Sequence, residues 1–319
     1  MLTIVVLAQP EDASLRLLEG VDDGVRFAIG QDAVDLVARA PDADVLFYCT
    51  GGRERLETAF NGLRRLGWVH SRWAGLDGLL FPALAQSPVL LTNSRGVFSR
   101  TLAEFSIGAI FHFAKDFARM RRQQAAGRWE PFLVEEVHGR ALGIVGYGDI
   151  GRAVAQRAKA LGMRILALRR RGEPSDSVVD EVYAPADRLG LIARSDYVVL
   201  ALPLTPETHS LMGPAEIAAM KPTAVLINVG RGPTVDEPAL VAALRAGRIR
   251  GAALDVFAEE PLSQGSPLWG LDNVLLSPHT ADRTTTWLDE AMAVFLENLR
   301  RFRAGEPLLN VVEDKRRGY

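Results

Sequence analysis

Three stretches in the second half of the chain carry groups able to do chemistry, and each directly follows a short apolar run. The first is Asn228-Val229-Gly230-Arg231-Gly232. An arginine between two glycines has room to project, and its guanidinium fork suits a carboxylate or a carbonyl oxygen. The second is Asp255-Val256-Phe257-Ala258-Glu259-Glu260-Pro261. A carboxylate there could orient another group or meet a cofactor. The third is Ser277-Pro278-His279-Thr280-Ala281-Asp282. A histidine at a strand end is a candidate acid or base, and a carboxylate beside it would favour the protonated ring that can donate. Taken singly, each has a plain alternative: a surface arginine in a tight turn, or solvated acids in a loop.

Upstream, Gly146, Gly148 and Gly151 stand at G-x-G-x-x-G spacing between an apolar run, Ala141 to Val145, and a segment of helical periodicity that opens at Asp149 and Ile150. The first glycine permits a tight turn, the second lets a pyrophosphate approach the backbone, and the third lets helix and strand pack closely. Free N–H groups at the helix start would face the phosphates. The next strand ends at Leu168, followed by Arg169, Arg170 and Arg171. Arg169 lies 18 residues after Gly151, where an NAD site usually carries an acid for the ribose 2′-OH. Arginine there would attract a 2′-phosphate, so NADP(H) is expected over NAD(H), the alternative being a solvated charge run.

The elements around these groups read as alternating strands and helices, the pattern of parallel sheets covered by helices. Expected strands are Thr3–Ala8, Val25–Ile29, Val45–Cys49, Trp68–His70 and Val89–Thr92, then Leu142–Val145, Ile165–Leu168, Val198–Leu202, Ala224–Val229, Gly251–Leu254 and Val274–Leu276. Residues from about 97 to 127 read as long helical material, a connector and subunit interface, ended by Gly127, Trp129 and Pro131. Residues 284–304 read as an amphipathic helix returning to the first unit. The expected fold is α/β: two Rossmann/flavodoxin-like doubly wound parallel-sheet domains with a cleft between them. The divisions are 1–95 plus 284–319, and 96–283. The loop Ser71-Arg72-Trp73-Ala74-Gly75-Leu76-Asp77 follows a strand, so its N–H groups could face an anion.

Composition excludes more than it proposes. A chain of 319 residues, 48% hydrophobic and 24% charged, is long enough for two domains. A formal charge of −2 gives no case for nucleic acid or an anionic membrane. The lone cysteine, Cys49, lies in an apolar run and reads as core. No cluster of His, Cys and carboxylates has ligand spacing, so no metal is expected. The N-terminal apolar stretch is short and meets Pro10, Glu11 and Asp12, which reads as a first strand; a cytoplasmic location is expected. His112, His138 and His209 lack strand-end placement, and the basic tail Lys315-Arg316-Arg317 reads as a frayed end.

With Leu202-Pro203-Leu204-Thr205-Pro206-Glu207-Thr208 added, the order of these motifs resembles the D-isomer-specific 2-hydroxyacid dehydrogenases through nearly the whole chain. The resemblance implies a catalytic set of Arg231, Glu260 and His279. It implies cofactor contacts from Gly146, Gly148, Asp149, Ile150, Gly151, Leu202, Pro203, Thr208, Val229, Gly230, Asp255 and Thr101, with Arg169 and Arg170 at the ribose. It implies a substrate carboxylate held by the backbone of Ala74, Gly75 and Leu76 together with Arg231. Arg169 departs from the aspartate of many members and resembles the NADPH-using glyoxylate and hydroxypyruvate reductases. Trp73 and Phe98 are candidates to shape the substrate pocket, and Trp129 to reach a partner's site in a homodimer. Two alternatives stand beside the reductase: a cofactor-sensing, co-repressor-like interaction protein on the same fold, and a phosphoglycerate dehydrogenase-like enzyme. A formate dehydrogenase-like reading is weakened by the carboxylate at Glu260, where an amide would stand.

Overall fold

The computed structural model describes residues 1–169 and 177–316. The chain divides into two compact units, Met1–Val97 with Thr284–Tyr319, and Phe98–Arg283.

The first unit holds five parallel strands: β1 (Leu2–Leu7), β2 (Val25–Gly30), β3 (Val45–Tyr48), β4 (Trp68–Ser71) and β5 (Leu90–Asn93). Their order, β2-β1-β3-β4-β5, is flavodoxin-like. Every residue of β3 and β4 is buried, as expected of strands covered on both faces. Helices α1 (Ala33–Arg39), α2 (Gly52–Gly62) and α3 (Pro82–Gln86) connect the strands, and α10 (Trp287–Ala304) joins the unit from the far end of the chain. The apolar stripe of α10, Met292, Phe295 and Leu299, is almost fully buried. Phe295 stacks on Phe47 at 4.0 Å between ring centroids and on Trp68 at 5.5 Å. Truncating Phe295 to alanine would cost about 3–5 kcal/mol. Asn298 then fastens the outgoing chain, donating to Leu309 O at 3.0 Å and accepting from Leu309 N at 2.7 Å. Beyond it Val312 N donates to Leu91 O, and Lys315 Nζ donates to the carbonyls of Ser87 and Val89. Lys315 is therefore held, contrary to the expected frayed tail; Arg317 lies outside the described residues.

Among its described residues the second unit holds seven parallel strands: β6 (Ala141–Val145), β7 (Arg164–Leu168), β8 (Glu181–Tyr183), β9 (Tyr197–Leu200), β10 (Val225–Asn228), β11 (Gly251–Leu254) and β12 (Val274–Leu276). The order β12-β11-β10-β9-β6-β7-β8 reverses between β9 and β6, the switch point of a Rossmann sheet. Six strands were expected. The seventh, β8, is three residues long at the sheet edge, too short to show a pattern. The helices are α4 (Ser99–Ala114), α5 (Phe117–Ala125), α6 (Asp149–Ala160), α7 (Arg188–Arg194), α8 (Pro214–Ala219) and α9 (Glu237–Arg245). The helical connector consists of two helices, α4 and α5. Asp116 takes a left-handed φ of 50° between them and caps α5 by accepting from Arg119 N. Among the described residues no helix is long and apolar enough to cross a membrane.

Candidate active site

The glycine turn between β6 and α6 is built by close approach. Gly146 has φ +102°, and a Cβ on it would lie 2.6 Å from Ala201 O. A Cβ on Gly151 would lie 2.2 Å from Gly146 O, so α6 seats directly on the turn. Gly148 is the opposite case: none of the described residues comes within 4 Å of its Cβ position, and the residue is exposed. Gly148 precedes the first turn of α6, whose N–H groups have no acceptor within the helix. A bare backbone beside an open helix N-terminus fits the pyrophosphate of a dinucleotide. Asp149 and Ile150 are the first two residues of that helix.

Around the turn, Thr208 Oγ1 donates to Pro203 O at 2.7 Å and accepts from Thr205 N at 2.8 Å, closing the loop after β9. A Cβ on Gly230 would lie 2.7 Å from Leu202 O, which lets the Val229-Gly230 backbone pass against that loop. At the end of β7, Arg169 N donates to Tyr183 O at 3.0 Å, and its side chain is half-buried. Arg170 and Arg171 lie outside the described residues. Thr101 on α4 donates to Ala281 O at 2.8 Å.

The three chemical stretches leave the carboxyl ends of neighbouring strands β10, β11 and β12. Asn228 shapes the arginine turn. Its Oδ1 accepts from Gly230 N at 3.0 Å and its Nδ2 donates to Arg231 O at 3.1 Å. Thr234 Oγ1 donates to the same carbonyl at 2.6 Å, and Arg231 Nη1 donates to Gly230 O at 2.8 Å. A Cβ on Gly232 would fall 1.7 Å from Phe257 O, so the arginine turn lies directly on the acidic loop.

That loop is pinned twice more. Ala258 N donates to Glu237 Oε2 at 3.1 Å, and Phe257 N donates to Glu260 Oε1 at 3.0 Å. The other oxygen of Glu260, Oε2, lies 2.6 Å from His279 Nδ1. A carboxylate only accepts, so the bond places the proton on Nδ1 and leaves Nε2 as the ring's other face. Both side chains are about one-third exposed (His279 38%, Glu260 35%), so the pair is reachable.

Asp255 is buried and holds the histidine loop. Its Oδ1 accepts from Ser277 Oγ at 2.6 Å and from the N–H groups of Thr280 and Ala281, each at 3.0 Å. These bonds flank His279, whose φ of 52° is a left-handed conformation unusual for a residue other than glycine. Such a backbone persists where surrounding contacts over-determine it. Burial pushes the Asp282 carboxyl above its ordinary range; the charge of His279 opposes this and Asp255 adds to it. Asn228, Glu237 and Ser277 were not singled out from sequence. The bonds of Asn228 and Glu237 go to backbone groups and that of Ser277 goes to the Asp255 carboxylate; only Asn228, beside the N-x-G turn, left a local signal.

In the first unit, the Trp73–Leu76 loop leaves β4. Trp73 N donates to Ser71 Oγ at 3.2 Å and Ala74 O accepts from Asn93 Nδ2 at 2.7 Å. The backbone N–H groups of Ala74, Gly75 and Leu76 donate to no group among the described residues. His70 is fully buried, and burial pushes it down to about 3, so it serves the core. Cys49 is likewise buried, its thiol pushed up to about 12. Among the described residues no group of three or more His, Cys, Asp or Glu side chains could hold a metal ion.

Residues 107–281 match the NAD binding domain of the D-isomer specific 2-hydroxyacid dehydrogenases. A glyoxylate reductase of Korarchaeum cryptofilum is 35% identical over 289 residues, 88% of this chain and 86% of its own. A glyoxylate/hydroxypyruvate reductase B of Klebsiella pneumoniae is 40% identical over 257 residues, 78% of this chain and 79% of its own. A D-isomer specific 2-hydroxyacid dehydrogenase from Xanthobacter autotrophicus Py2, solved in complex with NADPH and MES, superposes with a TM-score of 0.81. It is 33% identical, over 99% of each chain. The chain belongs to the D-isomer specific 2-hydroxyacid dehydrogenase family of oxidoreductases.

Proposed function

We propose that the protein is a reductase of small 2-keto acids such as glyoxylate and hydroxypyruvate, giving the 2-hydroxy acid, the D isomer where that carbon is chiral, with NADP(H) preferred over NAD(H). The observation that carries this reading is the 2.6 Å contact between Glu260 and His279, on a loop packed against the turn that presents Arg231. In this reading Phe98–Arg283 is the dinucleotide unit, and Met1–Val97 with Thr284–Tyr319 the substrate unit.

When bound, the nicotinamide cofactor supplies the hydride. The remaining work falls to this chain. The guanidinium of Arg231 binds the substrate and polarises the keto oxygen as negative charge develops there. Protonated His279 gives that oxygen its proton from Nε2, and Glu260 holds the ring by Nδ1 and balances its charge. The N–H groups of Ala74, Gly75 and Leu76 take the substrate carboxylate. Gly148 leaves space for the pyrophosphate, and Arg169 takes the 2′-phosphate. The exposed apolar side chains Trp129 (94% exposed) and Leu133 (98%) support a homodimer covering the connector.

A steady-state panel tests the reading: glyoxylate, hydroxypyruvate, pyruvate and phenylpyruvate, each with NADPH and NADH. The expected result is turnover of glyoxylate and hydroxypyruvate, with the highest kcat/KM on NADPH. Absence of turnover on every acid would overturn it.

A further inference from the structure

The residue that opens the Trp73–Leu76 loop is a buried arginine. Arg72 is 6% exposed. Its Nη1 donates to Asp12, whose side chain is 6% exposed, and its Nη2 donates to Cys49 O at 3.1 Å. The guanidinium lies 5.9 Å from the centroid of the Trp73 ring and 5.6 Å from that of Trp287, the first residue of α10. The two indoles are 5.2 Å apart. Nε of Arg72 is buried and has no hydrogen-bond partner among the described residues.

As a device for stability this is poor. An ion pair taken out of water recovers its desolvation only with good geometry and full hydrogen bonding, and apolar side chains of similar volume often hold as well. One N–H of this guanidinium is unsatisfied among the described residues. What a planar fork adds is direction. Arg72 and the Trp73 indole donate to the same carbonyl, Cys49 O, the latter at 3.2 Å. Ser71 Oγ and Asn93 Nδ2 fix the Trp73 N–H and the Ala74 carbonyl. Asp12 is fixed in turn by accepting from Ser14 N at 3.0 Å and Ser14 Oγ at 2.7 Å. The path into the loop is fastened at each step, while the next three amides are left to donate elsewhere.

We propose that Arg72 is a positioning residue: clamped by Asp12 and laid against Trp73 and Trp287, it sets the loop so that the Ala74, Gly75 and Leu76 amides take one carboxylate. The inference rests on the proposed role of those amides toward the substrate. It gives binding of the carboxylate, and not proton transfer, as the step that depends on Arg72.

The test compares glyoxylate with glycolaldehyde, an aldehyde of similar size without the carboxylate, in wild type, R72M, R72K and D12N, all with NADPH. Wild type is expected to show a far lower KM for glyoxylate. R72M is expected to raise that KM by about tenfold or more, with kcat within about twofold, and to leave glycolaldehyde kcat/KM and the NADPH KM within about twofold. R72K, which keeps the charge but not the fork, is expected to recover part of the loss, and D12N to show a smaller rise of the same kind. Should R72M fail to fold, R72K and D12N carry the same comparison. An unchanged glyoxylate KM in the variants, or equal losses on both substrates, would overturn the positioning role while leaving the carboxylate reading intact. A wild type indifferent to the carboxylate would remove that reading first, and the inference with it.

Discussion

Glu260 joins two backbone segments through its two oxygens: Oε1 takes the N–H of Phe257 at 3.0 Å, and Oε2 takes Nδ1 of His279 at 2.6 Å. The carbonyl of that same Phe257 fills the space that a side chain on Gly232 would need, one residue beyond Arg231. The guanidinium turn, the acid and the imidazole loop are therefore one mechanical assembly, fixed at backbone level.

If the pair acts as a unit, its substitutions will not add. H279A is expected to lower kcat by about 10³–10⁴-fold and E260Q by about 10²-fold, with NADPH affinity within about twofold in both. The double variant is expected to fall no further than H279A alone. Single-turnover and steady-state rates with a fluorescence titration of NADPH check this. Additive losses would mean that the carboxylate works independently of the ring.

The fingerprint glycines are expected to separate by role. G151A must bring a Cβ to within 2.2 Å of Gly146 O and 3.1 Å of Ile144 Cγ2, so it should destabilise by about 1–3 kcal/mol and lower Tm. G148A meets none of the described residues within 4 Å, at a negative φ of −97°. It should keep the wild-type Tm and raise the NADPH KM about tenfold, because its methyl would stand where the pyrophosphate approaches. Thermal unfolding and cofactor titration of the two variants decide the matter; a G148A protein with normal cofactor affinity would remove the pyrophosphate from this turn.

Much of this assembly was legible because the informative signals are local. An apolar run followed by Gly-Arg-Gly, or by Pro-His, marks a strand end, and strand ends are where parallel sheets place ligands. What escaped was set by distant partners. His279 is left-handed because Asp255, more than twenty positions earlier, accepts from Thr280 and Ala281. The clamp on Arg72 reaches Asp12 across sixty positions. The connector broke into two helices because Asp116 turned and capped the second, a choice that the apolar period through Phe113 does not record.

Stability is expected to fall in acid through His70. The ring is fully buried, its Nδ1 2.7 Å from Thr92 Oγ1, which also accepts from Trp68 Nε1 at 2.8 Å. The Thr92 hydroxyl can donate to a neutral Nδ1, and it is burial that disfavours a second ring proton. Burial takes the ring from 6.5 down to about 3. Between those values the unfolded chain binds a proton that the folded chain does not, so stability is complete above about pH 6.5 and lost as pH falls. The expected slope is about 1.4 kcal/mol per pH unit below about pH 5.5. Urea unfolding from pH 7 to 4 should show it, and H70Q should lose that part of the slope. A slope unaltered in H70Q would assign acid sensitivity to other groups.

Cofactor choice is expected to turn on Arg169. Its backbone is tied to the neighbouring strand by the bond to Tyr183 O, so the side chain leaves from a fixed point at the end of β7. At that point an aspartate would accept from a ribose 2′-OH and repel a 2′-phosphate, and arginine reverses both preferences. A charged hydrogen bond of this kind contributes about 1.5–3 kcal/mol, so R169D should raise the NADPH KM on the order of tenfold to a hundredfold. The NADH KM should stay within about threefold or improve. R169Q separates charge from shape, since it removes the attraction without adding repulsion, and should fall between the two. Parallel losses on both cofactors in R169D would mean that the residue supports the β7 loop and does not read the phosphate; a loss confined to NADPH would place the 2′-phosphate at this side chain.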